Sequence, residues 1–157
     1  MVVELAGISA PVVQSRDDTP LSYFFGGQTW LRATSVTTNG QLAIVEQILD
    51  PGLGSPYHMH RNEDEMFYII EGEVRFVSEG GSWRGGAGTY AFLPRNVPHG
   101  FEVVGDVPAH FLILVTPAGF EAFVAELAEP APAPPDMPRV MEAASRFELK
   151  ILGPLPV

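Results

Sequence analysis

The chain contains no cysteine, and its 9 lysine and arginine residues are outnumbered by 19 aspartate and glutamate residues. Without thiols there can be no disulfide, thiolate ligand or cysteine nucleophile, so any metal must be bound through nitrogen and oxygen. The formal net charge of −10 and the sequence pI of about 4.7 argue against nucleic acid and anionic membranes as partners, because both would repel the protein.

Long hydrophobic runs are missing as well. The longest, FLILV at 111–115, is far too short to cross a bilayer. The amino-terminal segment MVVELAGISAPVVQ has no basic residue ahead of its apolar positions, unlike a secretory signal. We therefore expect a soluble, cytoplasmic protein, and 157 residues are enough for one domain with a substantial core.

What the sequence does contain is a series of short apolar segments between residues 21 and 116, separated by many of its 16 glycines and 15 prolines. Such punctuation predicts short strands joined by turns, among them a turn at Thr38 to Gly40 and a hairpin turn in GGSWRGGAG. The aromatic residues of these segments, including Phe76 and Phe92, are expected in the core.

After Thr116 the apolar residues recur with a helical period, which predicts an amphipathic helix capped by Thr116 and starting at Pro117. A proline-rich linker precedes a second short helix after Asp136. Strands first and helices last predict an all-β fold. The barrel or sandwich is expected over about 21–116 and the helices and tail over 117–157, within a single domain spanning 1–157.

The stretch GLGSPYHMHRNEDEMFYIIEG at 52–72 carries the clearest chemical signal. His58 and His60 are one residue apart, and on an extended strand both imidazoles project to the same face. An acidic cluster from Glu63 to Glu65 follows, and a second cluster with glycine, proline and histidine runs from 88 to 99 and ends at His99. Two solvated histidines on a polar strand face are the alternative interpretation of the first pair.

The spacing of the two clusters resembles the two motifs of the cupin family, over roughly residues 40 to 116. The resemblance implies a jelly-roll β-barrel that binds one divalent metal through His58, His60, Glu65 and His99, and it implies a homodimer. Three imidazoles and a carboxylate suit Fe, Mn, Ni, Co, Cu or Zn, without selecting among them. Four ligands leave about two octahedral positions free for water, dioxygen or a chelating substrate.

Two positions depart from the family pattern. Asn96 stands where the second motif usually has glycine, but asparagine tolerates a positive φ and the turn can survive. Val103 replaces the closing asparagine of that motif, so a polar contact is lost. The segments TPAGFEAFVAELAEP and LKILGPLPV are similar to the carboxy-terminal region of small cupins often grouped with quercetin dioxygenase.

Several residues near the ligands have more than one interpretation. A register shift could let Glu63 or Asp64 replace Glu65, which is favoured by its six-residue spacing to Gly72, and the other two are expected to be solvated at the rim. His110 is expected to be structural or exposed, with a pocket role as the alternative. Arg95 is expected to orient the turn before His99 rather than to contact substrate.

Strand parity gives two candidate substrate contacts. Phe67 shares a face with Glu65, and Phe101 shares a face with His99, so both are expected to line the metal cavity. Tyr57 should point the other way.

These observations support three functions for a small-molecule substrate. The first is a metal-dependent dioxygenase, an oxidoreductase like quercetin 2,3-dioxygenase, acting on a flavonol-like or other aromatic or enolisable compound with Glu65 as ligand and base. The second is an oxygen-independent cyclase or isomerase, such as the cupin cyclases of aromatic polyketides. The third is a binding module without catalysis, because fold and metal do not fix function.

Overall fold

The computed structural model describes residues 10–157, so expectations that depend on residues 1–9 lie outside the described part of the chain. A short 3-10 turn at Arg16–Asp18 comes first. The strands are β1 (Ser22–Phe24), β2 (Gly27–Ala33), β3 (Ala43–Leu49), β4 (Tyr57–His60), β5 (Asp64–Glu71), β6 (Glu73–Ser78), β7 (Gly81–Gly85), β8 (Tyr90–Leu93), β9 (His99–Val104), β10 (Ala109–Thr116) and β11 (Leu149–Gly153). The helices are α1 (Phe120–Leu127) and α2 (Met137–Arg146).

The strands form two antiparallel sheets. One has the order β1-β2-β3-β10-β5-β8, and the other has the order β11-β4-β9-β6-β7. Alternate residues of β5 and β10 are buried, as expected for strands with one face on a core. This two-sheet jelly-roll sandwich with a helical carboxy-terminal part confirms the predicted fold class.

The sheets enclose an aromatic core. Phe67 packs against Phe76, Phe101 and Phe111, with ring centroids 4.9 to 5.5 Å apart. Phe92 is not part of it: it is 51% exposed because β8 presents alternate residues to solvent and Phe92 falls on the outer face. The expectation that Phe92 is a core residue was therefore wrong.

The glycine-rich segment is a strand rather than a turn. β7 pairs with β6 from Gly81 to Gly85, so Trp83 and Arg84 lie within a ladder opposite Phe76 and Arg75. Glycine at both ends of the strand is tolerated because β7 is the outer strand of its sheet.

The carboxy-terminal part closes one end of the sandwich. Thr116 pairs with Asp64 at the end of β10, so it cannot cap α1, and the helix is capped by Gly119 instead. The cap of α2 at Asp136 agrees with the prediction, since its side chain accepts a hydrogen bond from Arg139 N. The final segment forms β11, which pairs with β4, placing Ile151 opposite His58. No helix in the described residues is long and apolar enough to cross a membrane.

Candidate metal centre

The four expected ligands come together between the two sheets. His58 lies on β4 directly opposite His99 on β9, and His60 follows two residues later on the same face of β4. Glu65 projects from β5, which belongs to the other sheet. One ligand atom from each residue lies within 4.8 Å of the others, and all four residues are buried.

The carboxylate of Glu65 is the point at which the three rings converge. Its Oε2 atom lies 2.8 Å from His99 Nε2, 3.0 Å from His60 Nε2 and 3.9 Å from His58 Nε2. All three histidines thus present the same ring nitrogen to one small volume. This is the arrangement that imidazole ligands need in order to share one cation.

The opposite nitrogen of each ring is held from outside. His58 Nδ1 lies 2.8 Å from Pro56 O, and His99 Nδ1 lies 3.0 Å from Val97 O. A backbone carbonyl only accepts, so these two Nδ1 atoms carry hydrogen, and in the neutral ring each Nε2 keeps the lone pair that a metal needs. Such outer hydrogen bonds fix the tautomer and the orientation of metal-binding histidines.

Glu63 performs the same task for the third ring. Its Oε1 atom lies 3.2 Å from His60 Nδ1, and the residue is 5% exposed. The expectation that Glu63 is solvated at the rim was wrong, because the connection between β4 and β5 places its carboxylate against His60 Nδ1 and buries it. Asp64 is half-buried at the surface, where it pairs with Arg95, so neither neighbour competes with Glu65 for the site.

The pKa values of His58 and His60 are shifted in opposite directions. Burial lowers the pKa of His58 to about 3, assisted by the neighbouring His60 and His99. Burial also disfavours a charged His60, but the charges of Glu65 and Glu63 outweigh it and raise the pKa of His60 to about 9. Burial opposes ionisation of Glu65 too, yet His60 and His99 hold its pKa well below the usual range. In the metal-free protein His60 and Glu65 therefore form a buried ion pair.

One buried atom fits a site that could hold a cation. His60 Nε2 has no accessible surface and no hydrogen-bond partner with suitable geometry, even though Glu65 Oε2 is only 3.0 Å away. A buried polar atom without a partner is costly and rare in folded proteins. A divalent ion would satisfy this atom, and the set of three imidazoles and one carboxylate suits a transition metal better than calcium or magnesium.

A cavity of about 50 Å³ lies beside the ligands, with His58 and Glu65 in its wall. We call it the metal cavity. Its remaining lining is mostly aromatic and aliphatic, from Phe24, Phe101, Ile113, Phe120 and Phe123. Phe101 therefore lies in the wall, whereas Phe67 is fully buried in the core behind it, with their ring centroids 4.9 Å apart.

Helix α1 covers the site. The ring of Phe120 packs edge-on against His60 with centroids 5.0 Å apart. Sequence reasoning missed Phe120, and it considered Glu63 only as an alternative ligand and not as the partner of His60. Phe120 had a usable signal, because it opens the apolar face of a helix that must pack on the sandwich. The sequence contains no signal that singles out Glu63, because three consecutive acidic residues cannot be told apart until the turn between β4 and β5 is known.

The other flagged residues lie away from the cavity. His110 is half-buried and its Nε2 atom lies 2.6 Å from Glu46 Oε2, a structural contact. Arg95 also donates to Thr116 O, which ties the loop before β9 to the end of β10. Asn96 adopts a φ of 64°, so asparagine takes the left-handed conformation for which the family usually has glycine.

Comparison with known proteins agrees with this geometry. Residues 45–115 match the family described as Cupin domain. An uncharacterized protein from Methanocaldococcus jannaschii is 27% identical over 70 residues, which are 45% of this chain and 56% of that protein. The chain thus spans about half the length of the curated relative that it matches.

Two solved structures show how far the likeness extends. Oxalate decarboxylase from Bacillus subtilis is 26% identical, with a TM-score of 0.57 over 70% of this chain and 31% of that one, and it has Mn(II) centres. The polyketide cyclase RemF from Streptomyces resistomycificus is 21% identical, with a TM-score of 0.58 over 68% of this chain and 80% of that one, a likeness of fold alone. Residues 45–115, which include His58, His60, Glu65 and His99, thus form a cupin domain, in agreement with the resemblance seen in the sequence.

Proposed function

We propose that this cupin is a metal-dependent dioxygenase of the quercetin-dioxygenase-like branch, acting on a neutral aromatic or enolisable small molecule. The observation that carries the proposal is the convergence of three imidazole Nε2 atoms and one carboxylate on the wall of an apolar cavity. Small-molecule sites have this character, with a few polar groups placed in a mostly apolar pocket.

A divalent ion held by His58, His60, Glu65 and His99 would supply Lewis acidity and, for Fe, Mn, Co, Ni or Cu, redox chemistry with dioxygen. The protein's own groups would do the rest. Glu65 is the ionised carboxylate in the cavity wall. It would accept the proton of a substrate hydroxyl whose pKa the divalent ion would lower. Phe101 would pack against the substrate ring, with Phe67 supporting it from behind.

The lining supports a neutral substrate rather than an anionic one. Within the described residues, the cavity wall contains Gln47, Ser55, His58 and Glu65 as polar side chains and no lysine or arginine. Apart from the bound ion, an anionic substrate would find no cationic side chain in this wall, and its remaining charge would be buried without a partner. The likeness to oxalate decarboxylase therefore does not carry its substrate to this chain.

The test is oxygen consumption by metal-loaded protein with a panel of phenols, flavonols and enediols. We expect substrate-dependent oxygen uptake that disappears in a His99→Ala variant and persists in His110→Ala. No uptake with any compound would reject the dioxygenase. Turnover under nitrogen would then support the cyclase or isomerase, and tight ligand binding without turnover would support the binding module.

A further inference from the structure

An outer cleft lies directly against the metal cavity. It has a volume of about 770 Å³, compared with about 50 Å³ for the metal cavity. The two share six lining residues, which form the partition between them: Phe25, Gly54, Ser55, Pro56, Phe101 and Ile151. The metal cavity alone holds only a few water molecules, so an aromatic substrate needs additional space next to it.

Phe25 is the unusual residue of this partition. It lies in the turn between β1 and β2 with a φ of 52°, a conformation that is strained for a bulky residue and that glycine or asparagine would adopt more readily. Its ring is half-buried and packs 4.7 Å from the ring of Phe24. Strain of this kind persists where the side chain is needed, and it is concentrated at functional sites.

The turn itself is firmly seated, so the ring is the part that can move. A Cβ atom at Gly26 would lie 3.3 Å from Leu53 Cδ1 and 3.7 Å from Ala133 O, which shows close packing of the backbone on both sides. Rotation of one aromatic side chain is fast compared with the movement of a packed turn.

The outer wall of the cleft suits an apolar ligand. Met137 and Met141 of α2 are 37% and 48% exposed, and Leu152 beyond them is 41% exposed. These side chains face the cleft and not the core of the sandwich. Methionine is flexible and polarisable, so it adapts to planar ligands of different outline.

A slot at the opposite edge of the sandwich is the competing route. It has a volume of about 470 Å³ between β7 and β8, and its lining includes Trp83, Phe92, Val97 and His99. Among the described residues it has no lining residue in common with the metal cavity. It touches one metal ligand but does not reach the side of the site that faces His58 and Glu65.

We propose that the substrate is a planar, neutral molecule that spans the metal cavity and the outer cleft. This inference rests on the proposed function. The reactive end of the substrate lies in the metal cavity, the remainder lies in the outer cleft against α2, and Phe25 determines which ring systems can pass. Phe25 is thus a specificity-determining residue, and the slot between β7 and β8 is not a route to the metal.

The experiment measures access to the metal without requiring turnover. Protein loaded with Co(II) is mixed with excess 1,10-phenanthroline, a planar neutral chelator, and the rate of cobalt removal is followed by absorbance at increasing chelator concentration. Phe25→Gly is compared with wild type and with Trp83→Ala, the matched loss of an aromatic ring at the slot. Glycine suits a φ of 52°, so the turn should be retained, and Phe25→Asn serves the same purpose if the glycine variant does not fold.

We expect the concentration-dependent rate to rise at least about ten-fold in Phe25→Gly, equivalent to ~1.4 kcal/mol of barrier. The rate of cobalt removal from Trp83→Ala should stay within about two-fold of the wild-type rate, because Trp83 is a surface residue away from the outer cleft. Acceleration by Trp83→Ala without acceleration by Phe25→Gly would overturn the assignment. A rate in Phe25→Gly that does not depend on chelator concentration would also overturn it, because the chelator would then capture only metal that had already left. Cobalt removal can be measured even if the protein is inactive towards every phenol. The role of Phe25 and the dioxygenase activity can therefore be rejected independently.

Discussion

Single histidines determine whether the site can hold a metal at all. We expect metal content after purification without chelator to fall from about one ion per chain to near zero in His58→Ala and in His99→Ala, because each removes an inward Nε2 ligand. His110→Ala is the matched control, since this histidine pairs with Glu46 outside the centre. Retention of stoichiometric metal in both ligand variants would disprove the ligand assignment.

We expect Glu63 to influence metal binding through its contact with His60. Removing its carboxylate in Glu63→Ala leaves His60 Nδ1 without the acceptor that orients the ring, and we expect metal affinity to fall by about 10 to 100-fold. Glu63→Gln keeps an acceptor oxygen and should show a smaller loss. Asp64→Asn, which alters a surface acid next to it, should leave affinity unchanged. A competition titration against a coloured chelator measures all four proteins, and equal affinities for wild type and Glu63→Ala would contradict the role.

The ion pair between His60 and Glu65 predicts how metal binding depends on pH. The pKa of His60 is raised to about 9 by Glu65 and Glu63 against the effect of burial, so at neutral pH the metal must displace a proton from this ring. Glu65, whose pKa is lowered, is already ionised. Apparent affinity should therefore rise by about ten-fold per pH unit up to about pH 9, with release of about one proton per metal. Calorimetry in buffers of different ionisation enthalpy measures that proton, and binding independent of pH between 6 and 8 would contradict the ion pair.

Helix α1 is held over the site by a buried carboxylate at its first turn. Glu121 is 3% exposed and accepts hydrogen bonds from Ser35 N at 2.7 Å and Gly119 N at 2.6 Å. Glu121→Ala leaves both N–H groups without this partner, and we expect a loss of about 2 kcal/mol in the free energy of unfolding. Glu142→Ala, which removes an exposed partner of Arg146, should cost about 0.3–0.5 kcal/mol. Urea titrations compare the two, and equal losses would show that Glu121 does not anchor the helix.

Among the secondary-structure elements, the sequence predicts the strands and turns that have a local residue pattern. It does not predict the caps and strands that depend on contacts between distant segments. The strand bearing His58 and His60 and the turn at Asn96 follow from local pattern, because alternation and a positive φ leave a signature in the residues themselves. The cap of α1 was misplaced because Thr116 has a competing partner in β5. β11 was expected only as a packed tail, because it is a short strand followed by two prolines and it forms through its pairing with β4.

The same limit applies to the site. The convergence of His58, His60, Glu65 and His99 could be predicted because the spacing of the two motifs resembles that of a family in which the corresponding residues meet. The depth of Glu63, the position of Phe67 behind Phe101 and the cover provided by Phe120 could not, because each depends on how the sheets and α1 pack together. The small metal cavity is a product of that packing, and no local pattern encodes its volume.

For the whole molecule, the homodimer stays a prediction. The apolar segment Tyr23 to Phe25 near the sheet edge is one candidate for pairing between subunits. Within the chain, however, Tyr23 forms a bridge to Glu129 and Phe24 packs against Phe123 of α1 with centroids 6.1 Å apart. Tyr23 and Phe24 thus make their contacts within one subunit. Size-exclusion chromatography with light scattering would determine the state, and a monomer at all concentrations would reject the dimer.

Acid stability is a property of the whole fold to which the cluster around Glu46 should contribute. Glu46 lies in the middle of the larger sheet at 5% exposure and accepts from Arg32 Nη1 at 2.8 Å and from His110 Nε2 at 2.6 Å. Burial would raise the pKa of Glu46, but these two donors outweigh it and lower the pKa. A lowered carboxyl pKa stabilises the folded state above the unfolded pKa of about 4.3, and this stabilisation is lost as the pH falls through the lower folded value.

Glu46→Gln should therefore lower the free energy of unfolding at pH 7 by about 2 kcal/mol, and the difference from wild type should shrink as the pH falls below about 4. Glu73→Gln is the matched control, because Glu73 pairs with Arg84 at the surface and such pairs contribute about 0–1 kcal/mol. Urea unfolding of the three proteins between pH 3 and 7 provides the comparison. A difference between wild type and Glu46→Gln that stays constant over this range would mean that the charge on Glu46 does not stabilise the fold, and that its amide replacement weakens packing alone.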